Sequence, residues 1–471
     1  MTHSWIISLK LLKEARLRKV IEMRVLVNSI LIRLNTTELS SQPAINMDRS
    51  MLLSMIDTDK EAHLNFLQKL IQAPSPAPPG DTTEAAKVVQ NFLSAHGIST
   101  SVIAPQVHMP NIVSSFDGSS TGPRVILNGH IDHFPVADAS DWKYPPYSGH
   151  IDEDGKYIHG RGVVDMKAGT AASIIAFTYL HKHRAALSGS VGLAVVSDEE
   201  TGGKYGTRYL LGDECGGKNS PWRGDVMLNA EPAGFSIRFA EKGTLRMTFR
   251  IDCIGAHGAY TFLSEGANFI GARLVTALKN IEDLVPNQLP ESIKDHVESP
   301  EVQSAVDEVM GKGAADVVLK PTVNIGVWNG GLIVNVIPSS ATIQADVRLP
   351  IGLTKEVVLD HIRSSILPKF PQVTLEVHEA ASNPSSFCDP EHPLLKAVQA
   401  NAERATGKVP LAIPSIGATD TKFYRYVGVP AYIFGVSPQT MAARDERVSI
   451  DEFMTVIKTH TGAVWDYLGG K

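Results

Sequence analysis

Between residues 111 and 229, short apolar runs alternate with a long helical segment, and that alternation constrains the fold more than any other feature of the chain. The runs fall at 111–114, 124–128, 191–197 and 226–229, and A-G-T-A-A-S-I-I-A-F-T-Y-L, starting at Ala168, lies between the second and the third. Strands alternating with helices imply an α/β sheet, at least partly parallel and covered on both faces. Ligands of such sheets bind at the carboxyl ends of the strands. The stretch V-I-L-N-G-H-I-D-H-F-P-V at 125–136 reaches such a place with His130, Asp132 and His133. Ahead of the sheet, H-L-N-F-L-Q-K-L-I and T-E-A-A-K-V-V-Q-N-F-L predict two helices separated by P-S-P-A-P-P-G-D, with Thr82 or Thr83 capping the second.

After Glu231 the pattern changes. Residues 244–253, T-L-R-M-T-F-R-I-D-C, alternate in polarity as a half-exposed strand does. Strand-like runs follow at 322–327, 341–348 and 373–378, with helical stretches at 267–283 and 354–366. Strand-helix-strand-strand-helix-strand is the order of a ferredoxin-like α+β unit. Around Pro390 the α/β pattern resumes, with a helix from His392 to about Thr406, a strand near 430–434 and a last helix from about 450. A chain of 471 residues has room for two or three domains. The simplest layout is an α/β domain at 47–239 and 381–471, with a ferredoxin-like domain at 240–380 inserted into it.

Composition narrows the classes. Hydrophobic residues at 43% and charged residues at 20% are ordinary for a globular protein. A net charge of −6 argues against general nucleic-acid binding, which needs a basic face. Cys215, Cys253 and Cys388 are too scattered for a disulfide framework or a C-x-x-C site, and fit a reducing, cytoplasmic compartment. Residues 1–46 differ from the rest, with seven Lys/Arg against three Glu. Their longest uncharged apolar run, 25–32, is too short to span a bilayer, and they lack the pattern of a secretory signal. They read as a basic extension ahead of the fold, with Met47 as an alternative start. A mitochondrial targeting helix is the other reading, against which Glu14 and Glu22 stand.

Four further segments carry acids near strand ends or helix starts: G-R-G-V-V-D-M-K-A-G with Asp165, V-S-D-E-E-T-G-G with Glu199 and Glu200, N-A-E-P with Glu231, and I-G-A-T-D with Asp420. Singly, each has an ordinary explanation, such as a helix cap for Asp165 or a solvated pair for Glu199 and Glu200. Together, at the strand ends of one sheet, they can converge on one crevice. Clustered carboxylates disturb one another's protonation unless a cation neutralises them. Histidine with carboxylates suits zinc or a related divalent ion. Asp132, on the same strand face as His130, can accept the imidazole's second N–H. In extended backbone Glu199 and Glu200 point opposite ways, so one can bind metal while the other acts as a base.

The ordered set G-H-I-D, G-R-G-V-V-D-M-K-A-G, D-E-E-T-G-G, N-A-E-P, I-G-A-H-G, N-V-I-P, A-D-V-R and G-A-T-D resembles the metallopeptidase family of acetylornithine deacetylase, succinyl-diaminopimelate desuccinylase, aminoacylase-1 and glutamate carboxypeptidase, over about residues 60–470. The resemblance implies a catalytic domain with one or two metal ions, usually zinc, with cobalt or manganese as alternatives, and an inserted lid that often forms a homodimer. It implies that His130 and Glu231 hold one metal, Glu200 the other, and Asp165 bridges both. Glu199 would be the general base and Asp132 would orient His130. The peptide after Asp165 is often cis in relatives. In the lid, His257 would stabilise the oxyanion, commonly across the dimer interface, and Asn335 and Arg348 would bind the substrate's carboxylate. Residues 417–420, ending in Asp420, would form a substrate-pocket loop.

The chain departs from the family's pattern twice. The final metal-binding histidine of relatives falls on Ala442, in M-A-A-R-D-E-R-V, leaving Asp445 as a possible substitute. The proline that usually follows the lid histidine motif is missing at Tyr260 and Thr261. The expected function is hydrolysis of an amide C–N bond in N-acyl amino acids or short peptides with a free carboxylate. These residues fit a deacylase and a carboxypeptidase equally. The rival is a non-catalytic binding or assembly protein on the same fold.

Overall fold

The computed structural model describes residues 48–470, so the basic segment 1–46 lies outside the described residues. The first strands are Ser101–Ile103 (β1), Asn111–Asp117 (β2), Ser120–His130 (β3), Ser188–Val196 (β4), Val226–Asn229 (β5) and Ile237–Glu241 (β6). Then come Gly243–Asp252 (β7), Thr322–Gly330 (β8), Ser340–Leu349 (β9) and Val373–Val377 (β10), and last Ser386–Phe387 (β11), Ala412–Ser415 (β12) and Ala431–Ile433 (β13). Nine of them form one mixed sheet in the order β1-β2-β4-β3-β5-β13-β6-β11, with β12 also pairing β6. Its centre, β4-β3-β5-β13, is parallel. Antiparallel pairs flank it on both sides.

The parallel centre is apolar because both its faces are covered. Every residue of helix Ala168–Lys182 from Ala168 to Leu180 is buried, between β3 and the closing helix Ile450–Tyr467. Gly129 lets that helix come close, since a Cβ there would fall 2.6 Å from the Thr170 hydroxyl. The stretch Val163–Lys182 is long and apolar enough by composition to cross a membrane, yet nearly all of it is buried inside the protein.

The chain leaves this sheet at Lys242 and returns at Ser386. In between, β8-β9-β7-β10 form an antiparallel four-stranded sheet. The alternation along β7 sends Leu245, Met247, Phe249 and Ile251 into one core with Leu274 of helix Ala267–Lys279 and Val358 of helix Lys355–His361. Both helices therefore cover one face, in the anticipated ferredoxin-like arrangement.

Two features were not anticipated. Helices Glu291–Glu298, Pro300–Met310 and Ala314–Val318 intervene between helix Ala267–Lys279 and β8. They dock on the nine-stranded sheet, where Val302, Val306 and Ala314 pack with Ile413 of β12. The Lys242 ammonium ties them down, donating to the carbonyls of Val317 and Lys320 at 2.6 Å each. Second, neither threonine caps helix Thr83–Ala95 through its side chain: the Thr82 hydroxyl donates to Ser197 Oγ at 2.8 Å, and Asp81 accepts the Thr83 N–H at 3.0 Å.

Candidate metal centre and catalytic cleft

Three neighbouring parallel strands end at the same edge of the sheet. In register, His130 of β3 lies beside Val196 of β4, and Asn128 beside Asn229 of β5. β3 thus delivers His130 itself, while β4 and β5 lead directly into the segments carrying Glu199, Glu200 and Glu231. His130 Nε2 lies 3.2 Å from Asp165 Oδ1 and 3.3 Å from Glu231 Oε1. Its Nδ1 faces Asp132, 3.0 Å from the backbone carbonyl and 3.4 Å from Oδ1. One ligand atom each from His130, Glu199 and Glu231 lies within 4.8 Å of the others.

The turn after β4 differs from the extended backbone anticipated for Glu199 and Glu200. Both residues sit in a turn and both reach the cleft. The Asp132 carboxylate shapes that turn, accepting the N–H of Glu199 at 3.3 Å and of Glu200 at 3.0 Å. Asp132 therefore faces the imidazole on one side and holds the two glutamates on the other. His133 takes no part in the cluster, because its Nε2 accepts the Ser75 N–H at 3.0 Å, inside the core.

Charge crowding dominates the electrostatics. Burial, reinforced by Asp165, raises the Glu200 carboxyl to about 9 and Glu231 to about 7. Burial also holds Glu199 well above the usual range, against the pull of Lys422, whose ammonium is 3.9 Å away. Burial alone lowers the His130 imidazole, but Glu231, Asp132 and Asp165 together outweigh it and raise it well above the ordinary value. Such a cluster without a cation must hold protons. Buried Glu200 Oε1 has no hydrogen-bond partner among the described residues. Imidazole plus carboxylates, crowded and partly unpaired, fits a divalent metal, and zinc, cobalt and manganese all accept this donor set.

Asp165 is held from behind by a residue that sequence reading passed over. Buried Glu446 accepts the N–H groups of Val164 at 2.8 Å, Gly162 at 3.1 Å and Asp165 at 3.4 Å, and pairs with Arg161 at 2.8 Å. Gly162 has a φ of +76°, which a side chain would resist. The Asp165–Met166 peptide is cis. The only hint of Glu446 was an acid beside Asp445 in the segment that lacks the histidine.

On that side the structure leaves the gap open. Ala442 is exposed, with a φ of +58°. Asp445 is absent from the cleft lining: its Oδ1 accepts the Lys143 N–H at 2.7 Å and its Oδ2 lies 4.0 Å from Arg444 Nε. His460 is buried in the closing helix against the Phe434 carbonyl.

The cleft beside the cluster has a volume of about 640 Å³ and exposes Asp165, Glu199, Glu200 and Glu231. Asp420 does not line it. The loop at 417–419 does, but Asp420 turns inward, only 1% exposed, and accepts the Thr207 hydroxyl at 2.8 Å. The lid residues also lie outside the cleft lining. Arg348 pairs with Asp346 at 3.0 Å, and exposed His257 sits beside Asn335, whose carbonyl accepts the Gly258 N–H at 2.7 Å.

Residues 126–466 match the model of peptidase family M20/M25/M40. The chain belongs to that family. As an M20 peptidase it is a metal-dependent hydrolase of amide bonds. Solved structures share the fold. A metallo-carboxypeptidase of the M20 family from Sulfolobus solfataricus superposes with a TM-score of 0.71 at 18% identity, over 86% of this chain and 99% of that one. The di-peptidase Dug1p from Saccharomyces cerevisiae gives 0.70 at 16%, over 90% and 99%. A dinuclear metal-binding M20 peptidase from Bacillus subtilis gives 0.61 at 16%, over 88% and 100%.

Proposed function

We propose that this M20 peptidase cleaves the amide bond of N-acyl amino acids or short peptides that carry a free carboxylate. The observation that carries the reading is the meeting of His130, Glu199 and Glu231 within 4.8 Å at a strand-end cleft, beside the unpartnered Glu200 Oε1. His130, Asp165 and Glu231 would hold one divalent ion, zinc by donor chemistry, and Glu200 with Asp165 a second. When bound, the ion lowers the pKa of water and polarises the amide carbonyl. Glu199 accepts the proton of the attacking water and passes it to the leaving amine. Lys422, close to Glu199 and donating to the Thr419 carbonyl at 2.8 Å, keeps that carboxylate in place. Asp132 holds the imidazole and the Glu199 turn in register.

The lid supports a homodimer on this reading. Among the described residues its edge strand β8 is unpaired on one side, and next to it Leu332, Ile333 and Val334 are exposed together with Phe262 and Phe269. His257, on the same part of the lid, would reach the partner's cleft and stabilise the oxyanion.

Zinc-loaded protein assayed on a panel of N-acyl amino acids and dipeptides tests the proposal. Hydrolysis that disappears in Glu199→Gln, with metal content unchanged, is the expected result. Ala442 favours a second reading, a binding protein that keeps the fold. Bound metal without turnover on any panel member would establish that reading instead.

A further inference from the structure

We propose that the end of helix Pro300–Met310 is the wall that selects the substrate, and that it takes an apolar chain of several carbons next to the scissile amide; the inference rests on the amide-hydrolase reading above. By sequence this helix belongs to the inserted domain, but by packing it belongs to the nine-stranded sheet. Val302, Val306, Val309 and Met310 recur at the spacing of one helix face. Val302 and Val306 are buried against Ile413 of β12. Val309 and Met310 continue the stripe, are only half-buried, and line the cleft together with Gly311.

The helix end is fixed in that place. Gly234, shortly after Glu231 in the chain, has a φ of +60°, and a Cβ there would fall 2.5 Å from Val309 Cγ1. The glycine thus serves both the turn and the close approach of the helix to the Glu231 segment. Asp307 Oδ1 accepts the N–H groups of Gly313 at 3.1 Å and Ala315 at 2.9 Å, which sets the turn that follows Met310. In the preceding helix, His296 Nε2 donates to the Ala412 carbonyl of β12 at 2.8 Å.

What surrounds this wall is apolar as well. Phe134, Ile416 and Met441 line the same cleft and are 41%, 39% and 43% exposed. Large apolar side chains left open to water in a concave site gain when an apolar group covers them. Apart from the four acids of the metal cluster, Arg238 is the one charged residue among the described lining residues. Its guanidinium is turned to backbone, donating to the Pro414 and Ala233 carbonyls at 3.3 Å each. The cleft thus sets an apolar surface beside the acids that would cut the amide. The acyl chain and the side chain of the released amino acid offer that surface the same chemistry, from opposite sides of the bond.

Two series of probes, assayed on zinc-loaded full-length protein, separate those sides. One lengthens the acyl group: N-acetyl-, N-butanoyl- and N-hexanoyl-L-alanine. The other lengthens the side chain: N-acetyl-L-alanine, N-acetyl-L-norvaline and N-acetyl-L-norleucine. Along one series kcat/KM is expected to rise about fourfold per methylene, the gain from burying a CH₂ group, while the other stays nearly flat. Met310→Glu, which puts a carboxylate into the wall, abolishes the rise, and Met310→Ala moves it to longer chains. Two flat series, a rise that survives in Met310→Glu, or a loss equal for every chain length overturns the assignment. Titration calorimetry on the zinc-loaded Glu199→Gln variant repeats the comparison without turnover. Affinity that does not grow with chain length there, or no binding of any probe, also overturns it. Should the wild type hydrolyse none of the probes while binding grows with chain length and depends on Met310, the wall stands and the hydrolase reading falls.

Discussion

The two flanks of Asp165 are built differently. On one, His130 and Glu231 come from adjacent parallel strands and meet at 3.3 Å, with Asp132 braced behind the imidazole. On the other, Glu200 has an unpartnered oxygen, Ala442 is exposed, and Asp445 is committed to the Lys143 N–H. What separates the flanks is the element that supplies the ligand. Hydrogen-bonded register fixes strand ends relative to one another, so the proposed ligands at and just after them assemble together. The gap falls in a loop, which has no such constraint.

The largest effects should come from the complete flank. His130→Ala should release the metal and bring hydrolysis to background, read by elemental analysis alongside the assay; full retention of metal would mean that the two flanks are equivalent after all. Glu199→Gln should lower kcat by roughly 10²- to 10⁴-fold, the usual contribution of a general base, with metal retained. Next comes the support common to both flanks. Glu446→Ala leaves Arg161 and three loop N–H groups unpaired, and should destabilise the protein by about 3–5 kcal/mol in denaturant unfolding.

A smaller effect separates buried His460 from His130. Burial holds His460 neutral, at about 4 against an ordinary 6.5, although its bond to the Phe434 carbonyl works the other way. The unfolded chain therefore takes up that proton first. Stability from this residue is complete above pH 6.5 and declines as pH falls from 6.5 through 4, by roughly 3 kcal/mol in all. Acid unfolding curves of His460→Asn should lose that slope, and adding zinc should not alter the difference. The smallest change is Ala442→His, which should raise zinc content toward a second equivalent per chain. No rise would show that the open flank lacks more than one side chain.

Much of this could be read from the chain alone. The strands at 111–114, 124–128, 191–197 and 226–229 were legible because burial on both faces leaves continuous apolar runs. The lid was legible through the alternation of β7. Arg238, a buried arginine of β6 that lines the cleft, was not, because a lone charge within a short apolar run gives no sign of what it faces. The helices at 291–318 were missed because only one side of each is buried, Val302 and Val306 in the longest of them, among charged residues. Asp420 was placed in the pocket by its motif, yet the turn into helix Thr421–Tyr426 directs its carboxyl toward Thr207. Glu199 and Glu200 were expected in extended backbone in the loop after the strand, whereas the Asp132 carboxylate gathers their N–H groups into a turn.

Glu446 has a consequence in the order of synthesis. His130, Asp165, Glu199 and Glu231 all leave the ribosome well before it, and the N–H groups of Gly162, Val164 and Asp165 have no carboxylate to donate to until residue 446 is made. The proposed metal centre is thus assembled from distant parts of the chain and is among the last things the nascent protein can complete. A chain stopped at residue 440 should contain every ligand named for the complete flank and still fail to retain zinc through gel filtration. Retention by that truncated chain would show that the strand ends suffice without the brace.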